Sequence, residues 1–144
     1  MKRVALLAIA IVAVLLIASG GEASTAETNR ASCSRPDGVV AIHFSKSEYP
    51  NIIRHIKKSW ELGYRRVLRI NRPGADQRRD KALAGIPTKD GFDRDEAPAA
   101  VLRKRWRTDV AYVPSSENRS AGASLGNQIE PYCNGVRVRY RFDP

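Results

Sequence analysis

Two cysteines near opposite ends of the polar part of this chain constrain how it can fold. Cys33 and Cys133 are the only cysteines among its 144 residues. A disulfide between them would close a loop of about 100 residues, a constraint worth about 4–5 kcal/mol on the chain-entropy model. The alternatives are a zinc site and a catalytic thiol, but two cysteines and two histidines at scattered spacings match no usual zinc-binding pattern.

The first 23 residues are typical of a secretory signal peptide. Lys2 and Arg3 precede an unbroken apolar run over residues 4–18, and small residues follow over 20–23. The run is too short for a stable membrane anchor. We therefore expect cleavage near Ala23 and a secreted, extracellular product, in an oxidising compartment that favours a disulfide.

The charge balance of the chain is strongly basic. The formal net charge is +10, and removal of residues 1–23 takes away Lys2, Arg3 and Glu22 and leaves +9. A secreted domain with this charge favours polyanionic partners such as nucleic acid, teichoic acid or an anionic surface. Charge alone does not choose among them.

The pattern of apolar residues predicts a small α+β domain with helices and a mostly antiparallel sheet. Residues 24–38 are typical of a flexible N-terminal arm, followed by one domain over 39–144. Strands are predicted at 39–44, 66–70, 109–113 and 136–142, and helices at 50–62, 76–84 and 120–129, with a turn at 115–119. His43 and His55 fall on the first strand and helix, and no partner spacing supports a ligand role for either.

The last predicted strand has one apolar and one basic face. Val136, Val138, Tyr140 and Phe142 alternate with arginines at 137, 139 and 141. Because successive side chains of a strand point to opposite faces, one face should be buried and the other should carry a row of arginines.

Residues 91–98 concentrate acidic side chains in this basic chain. Asp93, Arg94, Asp95 and Glu96 place three carboxylates and one guanidinium in four consecutive positions. Acids in a basic field suit metal-assisted attack on a phosphodiester, because the cations gather the polyanion and a carboxylate acts as base or metal ligand. The alternative is a solvated acidic turn that balances nearby arginines. On a strand, Asp93 and Asp95 would share one face, and Arg94 and Glu96 the other.

Three segments together resemble the NucA/NucB family of secreted bacterial deoxyribonucleases. They read Gly-Ala-Asp-Gln-Arg-Arg over 74–79, Gly-Ile-Pro-Thr-Lys-Asp-Gly-Phe-Asp-Arg-Asp-Glu-Ala-Pro over 85–98, and Ser-Glu-Asn-Arg-Ser-Ala-Gly-Ala-Ser-Leu-Gly-Asn-Gln over 116–128. Similar order and spacing extend the resemblance over residues 39–142. It implies a ββα-metal (His-Me finger-like) nuclease core, in which a base at the end of a strand activates water and a metal ion is held from the following helix.

The resemblance also implies roles for individual residues. Asp95 takes the place of the usual histidine base, and Glu96 is the second candidate for that role. Arg94 and Arg119 are candidate phosphate clamps. The remaining candidates for substrate binding are Asp93, Arg78 and Arg79, although a charge run such as the one that contains Arg78 and Arg79 usually forms a solvated face.

The resemblance places the metal ligands near the last helix, at Asn118 and Asn127. These residues are nine positions apart and lie on opposite sides of one continuous helix, so both reach one site only if Asn118 precedes the helix. The alternative role for Asn118 is that of the helix N-cap. Glu130 lies three positions after Asn127, on the same face, and is a further candidate ligand.

One departure from the family gives a structural expectation. Family members carry a cysteine pair where this chain has Leu68 and Leu102, so these two leucines should touch in the core. The Cys33–Cys133 disulfide would then be a separate link outside the family pattern.

The function predicted from these features is a secreted, metal-dependent, non-specific endonuclease that hydrolyses DNA, with RNA as a further candidate substrate. The expected cofactor is Mg²⁺ or Mn²⁺, and the expected state is a monomer. One alternative is a catalytically inactive basic protein that binds nucleic acid or a cell surface. Another is a basic toxin or inhibitor with a protein partner.

Overall fold

The computed structural model describes residues 32–144. The predicted signal peptide and most of the predicted arm therefore lie outside the described residues. None of the helices within 32–144 is long and apolar enough to cross a membrane.

A three-stranded mixed sheet carries the core. Strand β1 (Val39–Ser45) pairs with β5 (Arg137–Asp143), which in turn pairs with the short β2 (Leu68–Arg69). The β1–β5 pairing is parallel and the β2–β5 pairing is antiparallel. The α+β class is confirmed. Two of the three strand pairings of the described residues are antiparallel, in line with the prediction, and the longest pairing, between β1 and β5, is parallel. An alternating pattern identifies a strand without giving the direction of its partner, and here the first strand pairs with the last.

A two-stranded hairpin followed by a helix forms the second part of the fold. Strands β3 (Phe92–Ala97) and β4 (Asp109–Pro114) pair antiparallel, and helix α3 (Ser115–Ile129) begins directly after β4. The chain between the strands contains one 3₁₀ turn at Ala100–Leu102. This order gives two strands and a helix in sequence, with the acidic residues on the first strand.

Helix α3 begins five residues earlier than predicted. Residues 115–119, predicted as a turn, form its start, because Pro114 ends β4 and the Ser115 N–H donates to Gly91 O at 3.0 Å. Polar residues with an acid at the third position are typical of the first turn of a helix. Asn118 therefore lies inside the helix and is not its N-cap.

Helices α1 (Pro50–Glu61) and α2 (Ala75–Leu83) complete the domain. Helix α1 starts with proline, which suits the first helical position. The carboxylate of Glu117 on α3 accepts the N–H groups of Asn51 and Ile52 at 2.7 and 2.9 Å. This acidic side chain satisfies free donors at the start of α1 and links α1 to α3.

The hydrophobic core lies between the sheet and the helices. Its members share near-complete burial and come mainly from β1, α1, α3 and β5: Ile42, Phe44, Ile52, Ile53, Ile56, Ala121, Leu125, Ile129, Val138 and Tyr140. Leu68 and Leu102 are both buried in this same cluster, at 8% and 1% exposure. Both leucines therefore lie in the core, and a direct contact between them stays a prediction.

The predicted disulfide is confirmed. Cys33 and Cys133 are bonded, with their Cα atoms 5.0 Å apart. Ser34 adds backbone hydrogen bonds, donating to Pro131 O at 2.8 Å and accepting from the Cys133 N–H at 3.0 Å. The described end of the predicted arm is therefore held against the segment that precedes β5.

Candidate active site

A buried histidine lies between two carboxylates where α1 meets the hairpin. His55 Nδ1 is 2.6 Å from Asp95 Oδ2, and His55 Nε2 is 3.1 Å from Asp109 Oδ2. The side chain of His55 is 3% exposed, and those of Asp95 and Asp109 are 16% and 22% exposed. Each ring nitrogen lies within hydrogen-bonding distance of one carboxylate, so the ring can orient both carboxylates at once. The sequence indicates no partner for His55, whereas the structure places one carboxylate at each of its ring nitrogens.

The register of the hairpin explains why one histidine reaches both acids. Asp95 is opposite Ala111, and Asp109 is opposite Ala97. The two carboxylates therefore occupy diagonal positions on one face of the hairpin. His55 reaches them from the buried side of α1, so their orientation depends on the packing of α1 against the hairpin.

Asp93 shares that face but is bound to the start of α3. Its carboxylate accepts hydrogen bonds from Ser115 Oγ at 2.8 Å, Arg119 Nε at 3.2 Å and Asn118 Nδ2 at 3.3 Å. The hydrogen bond from Ser115, followed by that from Arg119, lowers the pKa of Asp93 below its ordinary value. Asp93 is thus an ionised carboxylate at a helix N-terminus, where negative charge is favourable.

A cavity of about 270 Å³ lies beside Asp95. Its charged and amide-bearing lining residues come from α2, β3 and α3, namely Asp76, Arg79, Arg94, Asp95, Glu96 and Asn118. The phenol of Tyr140 also lines it, and burial, with a smaller effect of the Asp95 charge, raises the pKa of Tyr140 so that the phenol stays neutral. The cavity therefore combines carboxylates, of which those of Asp76 and Asp95 are at least partly exposed, with arginines that suit a phosphate.

Glu96 faces a different partner. Its carboxylate forms a buried ion pair with Arg103, and both side chains are at most 5% exposed. Two further nitrogens of Arg103, Nε and Nη1, have no hydrogen-bond partner among the described residues. Burial, partly offset by the charge of Glu96, lowers the pKa of Arg103. The carboxylate of Glu96 is thus buried in its ion pair, whereas that of Asp95 is bound by His55 and remains partly exposed.

The predicted phosphate-binding arginines divide into two groups. Arg79 and Arg94 line the cavity, although Arg94 Nη1 also donates to Leu83 O and Ile86 O at 3.3 and 2.7 Å. Arg119 lies on the surface, with its side chain 76% exposed and its Nε bound to Asp93. Arg78 is not at the cavity.

Arg78 instead has a structural environment. Its guanidinium donates to the backbone carbonyls of Asn71, Pro73 and Ala100, the last at 3.0 and 3.1 Å. These bonds join the start of α2 to the 3₁₀ turn. The side chain thus organises the segment that borders the cavity.

The structure does not bring Asn127 and Glu130 to the cavity. Asn118 and Asn127 lie on one continuous helix that begins at Ser115, and their nine-residue spacing puts them on opposite sides of it. Asn118 lines the cavity, whereas Asn127 and Glu130 are exposed. Only Asn118 of the three predicted metal ligands lies near Asp95.

The chemistry of the cavity suits a hard divalent cation. Among residues 32–144, no group of three or more histidine, cysteine, aspartate or glutamate side chains is arranged to hold a metal ion. The cavity does present oxygen donors from Asp76, Asp95 and Asn118. Mg²⁺ is typically held by one or two carboxylates and keeps several waters, whereas zinc prefers nitrogen and sulfur ligands. The residues present therefore fit Mg²⁺ or Mn²⁺ and do not fit zinc.

Sequence reasoning missed His55 and Asp109. A signal for His55 exists, because it lies between Ile52 and Ile56 on the buried side of an amphipathic helix, and a buried polar side chain needs a hydrogen-bond partner. For Asp109, at the first position of β4, nothing in the local pattern indicates a partner on α1.

Comparison with known proteins identifies a related nuclease. The chain matches no family model. A DNA-entry nuclease of Bacillus subtilis strain 168 is 30% identical to it over 140 residues, which cover 96% of this chain and 94% of that protein. Identity of this extent spans the hairpin, α3 and the core together. The chain belongs to the NucA/NucB nuclease family.

Proposed function

We propose that this protein is a secreted, metal-dependent deoxyribonuclease that cuts DNA without sequence specificity. The observation that carries the proposal is the position of Asp95, whose Oδ2 is held by buried His55 at a cavity lined by arginines. The kinship with a DNA-entry nuclease supports DNA as the substrate. The signal-like N-terminus and the disulfide support an extracellular location.

In this proposal Asp95 is the general base. His55 binds Oδ2, and Oδ1 has no hydrogen-bond donor among the described residues, so Oδ1 is the atom that accepts a proton from the attacking water. The water oxygen forms a bond to phosphorus, and the bond from phosphorus to the leaving oxygen breaks. The leaving oxygen then takes a proton from solvent. A positioned general base contributes about 10²–10⁴-fold to such a reaction.

His55 is proposed as the positioning residue for this base. An ionised carboxylate that rotates freely presents its lone pairs in many directions, and a misplacement of about 1 Å can cost about 10²-fold in rate. The contact with His55 restricts Asp95 to one orientation. Asp109, on the opposite nitrogen, holds the imidazole in place.

Arg79 and Arg94 are proposed to bind the scissile phosphate at the cavity. Arg119, anchored through Asp93, extends this cationic surface outside the cavity. Guanidinium groups bind phosphate oxygens through paired hydrogen bonds that carry no base information. Cleavage without sequence preference follows from contacts of this kind.

Asn118 and Asp76 are proposed to hold the divalent cation, with Asp95 nearby. When bound, Mg²⁺ or Mn²⁺ supplies positive charge that stabilises the developing charge on the phosphate and the leaving oxygen. The side chain of Asn118 is prepared for this role because its Nδ2 is held by Asp93, which leaves the amide oxygen as the free end of the group.

Incubation of supercoiled plasmid with the mature chain tests the proposed function. We expect conversion to short fragments with Mg²⁺ or Mn²⁺ and intact plasmid with EDTA. Fragments of many different end sequences would support the lack of specificity. Intact plasmid under all conditions, with DNA binding that salt reverses, would instead identify a catalytically inactive binding protein.

A further inference from the structure

Four arginines cover the exposed face of the three-stranded sheet. Arg137, Arg139 and Arg141 alternate along the central strand β5, and Arg69 on β2 lies directly opposite Arg137. All four are exposed. At a rise of about 3.3–3.4 Å per residue, arginines two positions apart on β5 are about 6.7 Å apart along the strand. We refer to Arg69, Arg137, Arg139 and Arg141 as the arginine face.

One carboxylate of the folded chain lies on this face, that of Asp143 at the end of β5, which contacts His43 on the neighbouring strand at 2.8 Å. Within residues 32–144, none of the four arginines has a carboxylate within 4.0 Å, because the ion pairs of this region involve other residues. Arg69 and Arg137 each donate to a backbone carbonyl, of Gly135 and Asp37. Like charges directly opposite each other on a sheet destabilise it. A bound anion would reduce this repulsion between the arginines.

The arginine face and the cavity lie on opposite faces of the sheet. Val138 and Tyr140 alternate with the arginines along β5 and are buried in the core. Tyr140 also lines the cavity. The sheet therefore separates a DNA segment in the cavity from the arginine face. Only two different segments of DNA could contact the two surfaces at the same time.

We propose that the arginine face is a second binding site for the phosphate backbone of DNA, separate from the catalytic cavity. This inference rests on the proposed function, which makes DNA the expected ligand. Phosphates of one DNA strand follow each other at about 3.4 Å along the helix axis. The distance of about 6.7 Å between neighbouring arginines of the row therefore corresponds to an axial rise of about two nucleotides. A long DNA held at this face stays near the cavity at a high effective concentration.

A lipid surface fits this face less well than DNA. Proteins that bind membranes through a surface combine basic residues with apolar side chains that insert between the lipids. Of the large hydrophobic side chains that are exposed in the described part of the chain, none lies on β1, β2 or β5, and Val67, directly before β2, is the one that borders the arginine face. A linear row of arginines without such side chains suits a linear polyanion.

The first test measures DNA affinity against salt concentration in EDTA, where the proposed enzyme does not cut. The variant Arg137→Gln/Arg139→Gln/Arg141→Gln is compared with a control that loses three exposed cations elsewhere, Lys46→Gln/Arg54→Gln/Lys58→Gln. Each lost phosphate contact removes about 0.9 from the slope of log K against log salt. We expect the slope to fall by about 2–3 in the arginine-face variant and by less than about 1 in the control.

Equal losses in the two variants would overturn the proposal, because they would show only a response to net charge. The variant Arg137→Lys/Arg139→Lys/Arg141→Lys keeps the charge and should keep the slope. A slope that falls in this variant as well would show that the substitutions disturb the fold and not the phosphate contacts. Vesicles of phosphatidylglycerol provide a further arm. Loss of vesicle binding with unchanged DNA affinity in the glutamine variant would overturn the proposal in favour of a membrane surface.

Cleavage assays add a readout that separates this site from the catalytic one. The glutamine variant should cut a short oligonucleotide with unchanged kcat, because one short duplex cannot occupy both faces, and its KM for plasmid should rise. An unchanged KM for plasmid would contradict the proposal. If even the wild-type chain cuts nothing, the proposed function fails, whereas the binding comparison in EDTA still decides whether the arginine face binds DNA.

Discussion

His55 Nδ1 lies 2.6 Å from Asp95 Oδ2, a contact that joins the buried side of α1 to the acidic strand of the hairpin. Asp95 is 16% exposed and His55 is 3% exposed, so the contact spans the boundary between the core and the cavity. A helix that is otherwise part of the core thereby sets the orientation of the proposed base. Stability of α1 and rate of cleavage are therefore linked through one side chain.

Substitution of His55 should slow catalysis without weakening DNA binding. We expect His55→Gln to lower kcat by about 10²-fold, because Asp95 loses the donor that orients it. KM should stay near its wild-type value, since His55 does not contact the substrate. Steady-state cleavage of plasmid, with kcat and KM measured separately, checks the prediction.

A matched control is available for this substitution. His43 Nδ1 lies 2.8 Å from Asp143 Oδ2, but that pair is more than half exposed and lies outside the cavity. His43→Gln should leave kcat unchanged.

A rescue experiment tests the positioning role of His55 further. Addition of imidazole to His55→Ala with Mg²⁺ should restore part of the lost cleavage rate. If imidazole restores nothing and DNA affinity falls as much as the rate, the role of His55 is structural only.

Substitution of Glu96 should affect stability more than chemistry. Glu96→Gln leaves the buried charge of Arg103 without its counter-ion, and breaking a buried pair in this way costs about 3–5 kcal/mol. Urea unfolding measures this loss. In the double variant Glu96→Leu/Arg103→Met we expect much of the stability to return, because a hydrophobic pair can replace a buried ion pair.

The same variants separate the two candidate bases. The folded fraction of Glu96→Gln should cut plasmid at a rate close to that of the wild type, because the carboxylate of Glu96 is engaged with Arg103. If Glu96→Gln remains as stable as the wild type and loses cleavage, Glu96 is the base and the assignment to Asp95 is incorrect.

The contribution of Asp93 to stability should depend on pH. Hydrogen bonds from Ser115 and Arg119 lower its pKa in the folded state below the ordinary 3.8. A lowered folded-state pKa adds stability that is present above the unfolded-state value and is lost as pH falls through the folded-state value. Asp93→Asn should therefore be less stable than the wild type at neutral pH, and the difference should narrow in acid below 3.8.

Thermal unfolding across this pH range measures the effect. Asp90→Asn is the control, because Asp90 is exposed and takes part in none of the ion pairs of the described residues. A difference between Asp93→Asn and the wild type that stays constant from neutral pH into acid would contradict the prediction.

The two asparagines of α3 offer a matched pair of substitutions. Asn118→Ala should lower cleavage at least about tenfold and raise the Mg²⁺ concentration needed for half-maximal rate, because loss of even an outer contact to a metal costs about 10–100-fold. Asn127→Ala, on the opposite side of the helix, should keep both values. Titration of the cleavage rate with Mg²⁺ checks both, and the reverse pattern would place the metal on the other side of α3.

Local sequence patterns predict much of this fold, but they do not predict which distant residues pair at the site. Alternation along β5 correctly places its arginines outside and Tyr140 inside, and alternation along β3 separates Asp95 from Glu96. Neither pattern indicates that β5 pairs in parallel with β1, because the direction of pairing depends on contacts between distant segments.

The roles of individual charged residues were harder to predict for the same reason. The buried partner of Glu96 is Arg103, seven positions away, and the partner of Asp95 is His55, forty positions away. Helix geometry alone predicts that Asn118 and Asn127 face apart, but only the observed start of α3 at Ser115 shows which of them lies at the cavity.

The most direct test of the central claim is single-turnover cleavage of DNA by Asp95→Asn, with Asp90→Asn as the control and DNA affinity measured in parallel. The substitution keeps the shape of the side chain and removes the base, so the rate should fall by about 10²–10⁴-fold while affinity stays near that of the wild type. Asp90→Asn should cut at the wild-type rate. Cleavage by Asp95→Asn at the wild-type rate would contradict the account, because the proton of the attacking water would then pass to another group.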